Sequence, residues 1–298
     1  MPEALVFTAS IVKMFGAKIV LDMHDPMPEL YLSKYEGSEH GPMLKVLLFM
    51  EEISLRFSTH IITANSLFRA LFLKRHTIKP TQISVVENCP DNRIFKSYQQ
   101  EKNREDFRMV YMGTVEERFQ LDIAIQSIPK LIESIPNLRF CIVPKLNQEG
   151  EYFSFLRKHI RNNKLSKYVL IKQPQSLENI AKMMTNADIG IVLAKKGVYT
   201  DNIFSVKLLE LIQMNVPVIA SKTKMLVSQF SSNQLFFLPK NTTEYFTKAV
   251  LTLYKDKKLR KTLAINAKKY LTIHNWKMEE KKYLNQINSL FLNARRNK

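Results

Sequence analysis

At 298 residues, 45% hydrophobic and 24% charged, the chain is long enough for two ordinary domains and is balanced like a globular protein, not a disordered one. Two cysteines, Cys89 and Cys141, are too few for a disulfide framework; with no N-terminal secretory segment they point to a reducing, cytosolic compartment. The net charge of +18 is concentrated: positions 255–298 carry 13 Lys/Arg against 3 Asp/Glu, and 157–172 carry six basic residues and no acidic one. Such clustering suits a phosphate-rich surface such as an anionic membrane, although lysine drift on solvated faces gives the same balance.

Taken in chain order, the sequence opens with "MPEALVFTASIVKMFGAKIV", a helix feeding a strand, which resembles the middle of a domain more than its start. Strands are expected at 17–22, 60–64 and 83–87, with helices at 43–57 and 66–75 between them. That βαβα order argues for parallel strands covered by helices. The polar run "ENCPDNRIFKSYQQEKNRED" then breaks the rhythm and reads as a linker. Alternation resumes with strands at 108–113, 139–143, 168–172, 188–194, 216–221 and 234–238. Helices are expected between them at 119–134, 150–163, 176–186, 206–214 and 223–230. The tail from Thr242 is helical, and Tyr283, Leu284, Ile287, Leu290 and Phe291 fall on one face that should pack on the body. No apolar run is long enough to span a bilayer.

The stretch "VYTDNIFSVKLLELIQMNVPVIAS" (198–221) carries the sharpest signal. A helix beginning near residue 206 starts at the carboxyl edge of a parallel sheet, where ligands bind. Its free N–H groups and dipole attract an anion, with Ser205 as a plausible N-cap. Lys207 in the first turn opposes the dipole, so a bound phosphate would explain it. Glu210, on the same face at i+3, could accept from paired ribose hydroxyls. Together they spell a nucleotide; the bland alternative is a surface Lys–Glu pair. Asn215 stands in the following turn, at a position suited to positive φ.

"FSVKLLELIQMNVPVIAS" resembles the signature of glycosyltransferase family 4, retaining enzymes of the GT-B fold, in the branch with a Lys-Leu-Leu-Glu motif. "MVYMGTVEERFQLDIAIQSI", "NADIGIVLA", "VVENCPDNRIF", "LDMHDPMPELY" and "IHNWKMEEKKYL" are similar to further family segments in the right order, from about residue 4 to 295. The resemblance implies an α/β, GT-B-like fold of two doubly wound Rossmann-like domains facing a cleft. The segments would be 1–90, a partial acceptor-side domain; 91–106, a linker; 107–275, the nucleotide-sugar domain; and 276–298, a helix packing back on the first domain. The family carries an opening strand and glycine loop that this sequence lacks, on the order of a hundred residues. The N-terminal domain is therefore expected to be incomplete, with a missing N-terminal half as a possible partner.

The activity implied is transfer of a sugar, with retention, from a nucleotide-sugar to a glycan or lipid-linked acceptor in cell-surface polysaccharide synthesis. Catalytic roles would fall to His24, Asp25, Arg118 and Lys207, and donor binding to Gly113, Arg118, Asn202, Phe204, Ser205, Lys207, Leu208 and Glu210. Asn202 stands where the family has a glutamate; its amide can bond a hydroxyl but cannot act as a carboxylate. No Asp-x-Asp motif occurs, so neither a metal nor another cofactor is expected. The protein would work in the cytoplasm, peripherally on the inner face of the plasma membrane. The alternative is an inactive or split-enzyme fragment that keeps only nucleotide binding. Nucleic-acid binding is a weaker reading, because no basic motif interleaved with aromatics supports it. Arg118 also suits a surface arginine beside Glu116 and Glu117, and His24 a turn cap. Glu29 is read as fixing its loop, Trp276 as a packing anchor, and both cysteines as inert.

Overall fold

The computed structural model describes residues 3–35, 41–101 and 104–296. Positions 102 and 103 of the expected linker and the last two of the C-terminal helix lie outside the described residues. The chain forms two compact units. The first is drawn from Met1–Asn88, Gly197–Phe204 and His274–Lys298, the second from Cys89–Lys196 and Ser205–Ile273.

The second unit is built on six parallel strands: β4 (Phe107–Gly113), β5 (Leu138–Pro144), β6 (Val169–Ile171), β7 (Ile189–Val192), β8 (Val218–Ser221) and β9 (Phe236–Leu238), with β1 to β3 belonging to the first unit. Their spatial order is β6-β5-β4-β7-β8-β9. Strands buried on both faces read as continuous apolar runs, which is why "FRMVYMG" and "LRFCIVP" are so plain in the sequence. The core gathers Met109, Leu121, Ile125, Leu138, Phe140 and Phe246 from the sheet and its helices. After β4 the chain moves outward through β5 and β6, and after β7 it moves the other way, so the winding reverses between β4 and β7. At such a switch point the crevice at the carboxyl ends of the strands opens to ligands.

The helix expected at 119–134 is not one helix. A 3-10 turn at Glu117–Phe119, a left-handed Gln120 (φ 46°) and two short helices, Leu121–Gln126 and Ile128–Ile132, replace it. Pro129 is the cause: lacking an N–H, it cannot continue the ladder and sits in the first turn of the second helix.

The first unit holds a three-stranded parallel sheet of β1 (Val20–Met23), β2 (His60–Thr63) and β3 (Ile83–Val85) in that order. The strand expected from 17 starts only at Val20; Ile19 uses its carbonyl to accept from Thr59 and His60 instead. Leu55, Ile61, Phe68 and Phe72 form the core. A buried ionic cluster stands beside it. Arg75 is ion-paired with both Glu29 and Glu51, and His76 Nε2 lies 2.6 Å from Glu51 Oε1. The C-terminal helix, Trp276–Arg296, contributes the fully buried Glu279, which accepts from the Glu87 N–H at 2.9 Å. One expectation fails on this helix and one holds only in part. Trp276 is 53% exposed and anchors no core; of the expected stripe Tyr283, Leu284 and Phe291 are exposed, whereas Ile287 and Leu290 are half-buried. No helix among the described residues is long and apolar enough to cross a membrane.

Candidate functional site

At the β4 end of the switch point Gly113 adopts φ 115°, a conformation that costs glycine nothing. Its missing side chain also clears a path. A Cβ there would come within 2.9 Å of Lys207 Cδ and 3.2 Å of its Nζ. Lys207 extends from the first turn of the Val206–Gln213 helix over β4. Its Nζ donates to the Tyr111 hydroxyl at 3.3 Å and lies 5.0 Å and 4.4 Å from the ring centres of Tyr111 and Phe119. Among the described residues no carboxylate lies within ion-pair distance of this ammonium. Burial lowers its pKa to about 8; nearby Arg118 pushes the same way and Glu210 opposes. A cation held by two aromatic faces and a hydroxyl, with no anion of its own, is primed for an anionic ligand.

Glu210 lies one turn further along the helix. Burial raises its pKa to about 7 against the pull of Lys207. The bland alternative of a surface Lys–Glu pair does not describe this geometry: both residues are half-buried, and no ion-pair contact joins them. Ser205 occupies the N-cap position, but its hydroxyl makes no capping bond. Leu208 is fully buried, leaving only its backbone to face a ligand. Asn215 closes the helix at φ 57°, in keeping with the turn expected there.

Arg118 sits in the loop after β4, ion-paired with Glu116 at 2.5 Å and stacked over Phe119 at 5.2 Å. Its carbonyl accepts from the Lys195 N–H at 2.8 Å, tying the loop after β4 to the loop after β7. Asn241 locks the same edge. It donates to the Gln120 side chain at 2.6 Å and to the Ala194 carbonyl at 2.8 Å, and accepts from Ser221 at 2.9 Å. The Tyr111 hydroxyl donates to the Thr114 carbonyl, fixing the start of the loop. The sequence alone does not single out Tyr111, Phe119, Gln120 or Asn241. Each acts through a partner distant in the chain, and only the turn residue Gln120 carries a local signal.

The other expected residues belong to the first unit. His24 is exposed, with Nε2 3.5 Å from Asp22 Oδ2. Asp25 accepts from the Tyr199 hydroxyl at 2.9 Å. The Asn202 side-chain amide donates to the Val198 carbonyl at 2.8 Å, and its own carbonyl accepts from Asn65 at 3.1 Å. Phe204 closes that segment. Gly113, Arg118, Ser205, Lys207, Leu208 and Glu210 thus share one unit, and His24, Asp25, Asn202 and Phe204 the other. One group among the described residues could hold a metal ion: Glu87, His274 and Glu279, whose ligand atoms lie within 4.8 Å of one another. Those carboxylates already accept from His274, Lys282 and the Glu87 N–H.

The fold has close counterparts among solved structures. Anabaena Alr3699/HepE, solved in complex with UDP, is 16% identical with a TM-score of 0.75, over 97% of this chain and 77% of that one. Sucrose-phosphate synthase from Thermosynechococcus elongatus is 14% identical with a TM-score of 0.76, over 96% and 71%. S. aureus TarM, solved with fondaparinux, alpha-GlcNAc-glycerol and UDP, is 14% identical with a TM-score of 0.70, over 94% and 54%. These likenesses place both units in the Rossmann-like GT-B fold. No curated protein matches the chain in sequence. The profile described as "Glycosyl transferases group 1" matches residues 92–270, which span the six-stranded unit and the edge that carries Lys207. The chain is a member of the group 1 glycosyltransferase family.

Proposed function

We propose that the protein is a retaining transferase of glycosyltransferase family 4 that moves a hexose from a nucleotide-sugar, a UDP-sugar foremost, to a glycan or lipid-linked acceptor. The observation that carries this reading is the Lys207 ammonium, buried at the switch point with no carboxylate among the described residues at ion-pair distance. Alr3699/HepE has been solved with UDP-glucose and TarM with UDP, which supports uridine as the base. Lys207 and Arg118 would neutralise the charge that grows on the leaving diphosphate, Lys207 as a point charge and Arg118 by two-pronged contact. Glu210 would accept from the ribose hydroxyls, with Gly113, Ser205, the Leu208 backbone, Asn202 and Phe204 lining the donor. His24 would hydrogen-bond the transferred sugar or acceptor, on a loop steadied by Asp25. Retention would follow from front-face attack assisted by the leaving phosphate, without a metal or other cofactor.

In this reading the enzyme serves cell-surface polysaccharide synthesis from the cytoplasm, with the lysine-rich tail from 255 resting on the inner face of the plasma membrane. The deciding experiment is calorimetric titration with UDP, GDP and ADP on the wild type and Lys207→Ala. Lysine-dependent binding of one nucleotide supports the reading; no binding of any nucleotide ends it. A second reading, a chain that binds the nucleotide but completes no transfer, is favoured by the small three-stranded sheet of the first unit. Tight UDP binding without release of sugar from UDP-glucose to water or acceptor would select it.

A further inference from the structure

The basic stretch at 157–172 has no part in the site above, yet the fold concentrates it. The Glu151–Asn162 helix sets Ser154, Arg157, Lys158 and Arg161 on one stripe, at spacings of three and four. With Lys172 they line a groove of about 680 Å³ along β6, the edge strand of the sheet. Several arginines of the same unit are paired with carboxylates, Arg104 with Asp188, Arg108 with Glu101 and Asp106, and Arg118 with Glu116, while Arg260 is held by backbone carbonyls. No carboxylate among the described residues lies within ion-pair distance of Arg157, Lys158, Arg161 or Lys172.

The groove also continues. A second recess of about 530 Å³ on the other side of β6 shares Leu170 and Lys172 with the first and adds Arg139 and Lys182. Its acidic residues, Glu101 and Asp106, are both held by Arg108 at 2.7 and 2.6 Å. A track of uncompensated cations therefore wraps the edge strand. It ends near the switch point. Ile171 pairs with Ile142, and Ile142 with Tyr111, whose hydroxyl contacts Lys207. Two strand spacings, about 10 Å, separate that end of the track from β4.

We infer that this groove binds a polyanionic chain, the acceptor glycan itself, through phosphodiester or carboxylate groups repeated along it. The word acceptor rests on the transferase reading; the binding of a polyanion does not. A recess suits a chain better than a bilayer, which is flat and favours protruding apolar groups. The exposed aromatic of this helix, Phe155, lies on another stripe and stacks with Tyr152 and His159. No aromatic side chain lines either recess as a stacking platform for bases.

The test measures anisotropy of a labelled poly(glycerol phosphate) chain with the wild type, R157E/R161E and the milder R157Q/R161Q, across salt concentrations. UDP calorimetry runs in parallel. Charge reversal should weaken the polymer by roughly tenfold or more and lower the salt slope by about two, with UDP affinity and melting temperature kept. Neutralisation should give a smaller loss in the same direction. Unchanged polymer binding in both variants overturns the inference. So does arginine-dependent binding of phosphatidylglycerol vesicles, or of single-stranded RNA, in preference to the polymer. Loss of UDP binding by the wild type with polymer binding intact would remove the transferase reading and leave the groove standing.

Discussion

Gly113 is the residue that makes room for Lys207: a single methyl group on its Cα would stand 2.9 Å from the lysine Cδ. Gly113→Ala is therefore expected to act twice. The φ of 115° strains any L side chain and should cost about 1–3 kcal/mol of stability. The displaced ammonium should also lower UDP affinity. Thermal melting and calorimetry separate the two effects, and a stable variant with unaltered affinity would show that the glycine serves only the backbone.

Lys207→Met should uncouple stability from binding. The folded-state pKa of about 8 lies below the ordinary lysine value, so the folded protein holds this proton less tightly than the unfolded chain. At neutral pH the charge is thus a cost, and removing it should raise stability by roughly 1 kcal/mol while abolishing nucleotide binding. A destabilised variant would mean that contacts of the lysine stem outweigh the buried charge.

The same pair predicts a pH profile. Above about pH 8 Lys207 loses its proton and with it the attraction for diphosphate. Below about pH 7 Glu210 takes up a proton and loses acceptor capacity. UDP affinity should peak between these limits and fall on both sides. Lys207→Arg should remove only the alkaline fall, because a guanidinium stays charged.

Tyr199→Phe should leave UDP affinity unchanged while slowing turnover, since the hydroxyl donates to Asp25. The lost hydrogen bond is worth about 1 kcal/mol of stability. An equal fall in UDP affinity would place Tyr199 in nucleotide binding instead.

Arg75→Leu should be the most damaging change in the first unit, costing on the order of 3–5 kcal/mol in urea unfolding. It strands Glu29 and Glu51, whose side chains are 7% and 0% exposed, without their cation. Replacing all three by apolar residues should recover much of that loss.

The site is legible in the sequence where a residue violates a local preference. A lysine in the first turn of a helix opposes the dipole, and that anomaly, together with the motif around it, singles out Lys207 as a candidate ligand-binding residue. The continuous apolar runs are equally plain for β4 and β5, because strands buried on both faces need no polar side. Tyr111 and Asn241 are opaque, since each serves the site across a sheet and neither breaks a local rule. The break at Pro129 is written in the sequence but masked by the apolar period around it. Trp276 and part of the stripe at 283–291 mislead because an apolar helix face states only that it can be buried, not that it is.

The first unit takes its members from three separated stretches: Asp25 relies on Tyr199, Asn65 on Asn202, and Glu87 on Glu279. Synthesis delivers these in order, so Asp25 and Glu87 emerge from the ribosome long before the partners that fix them. The six-stranded unit can close once Ile273 is made, whereas the earlier-made unit must wait for the helix that bears Glu279. Folding order here should run opposite to the order of translation, and a released chain truncated after Ile273 should show a protease-sensitive N-terminal half beside a protected C-terminal one.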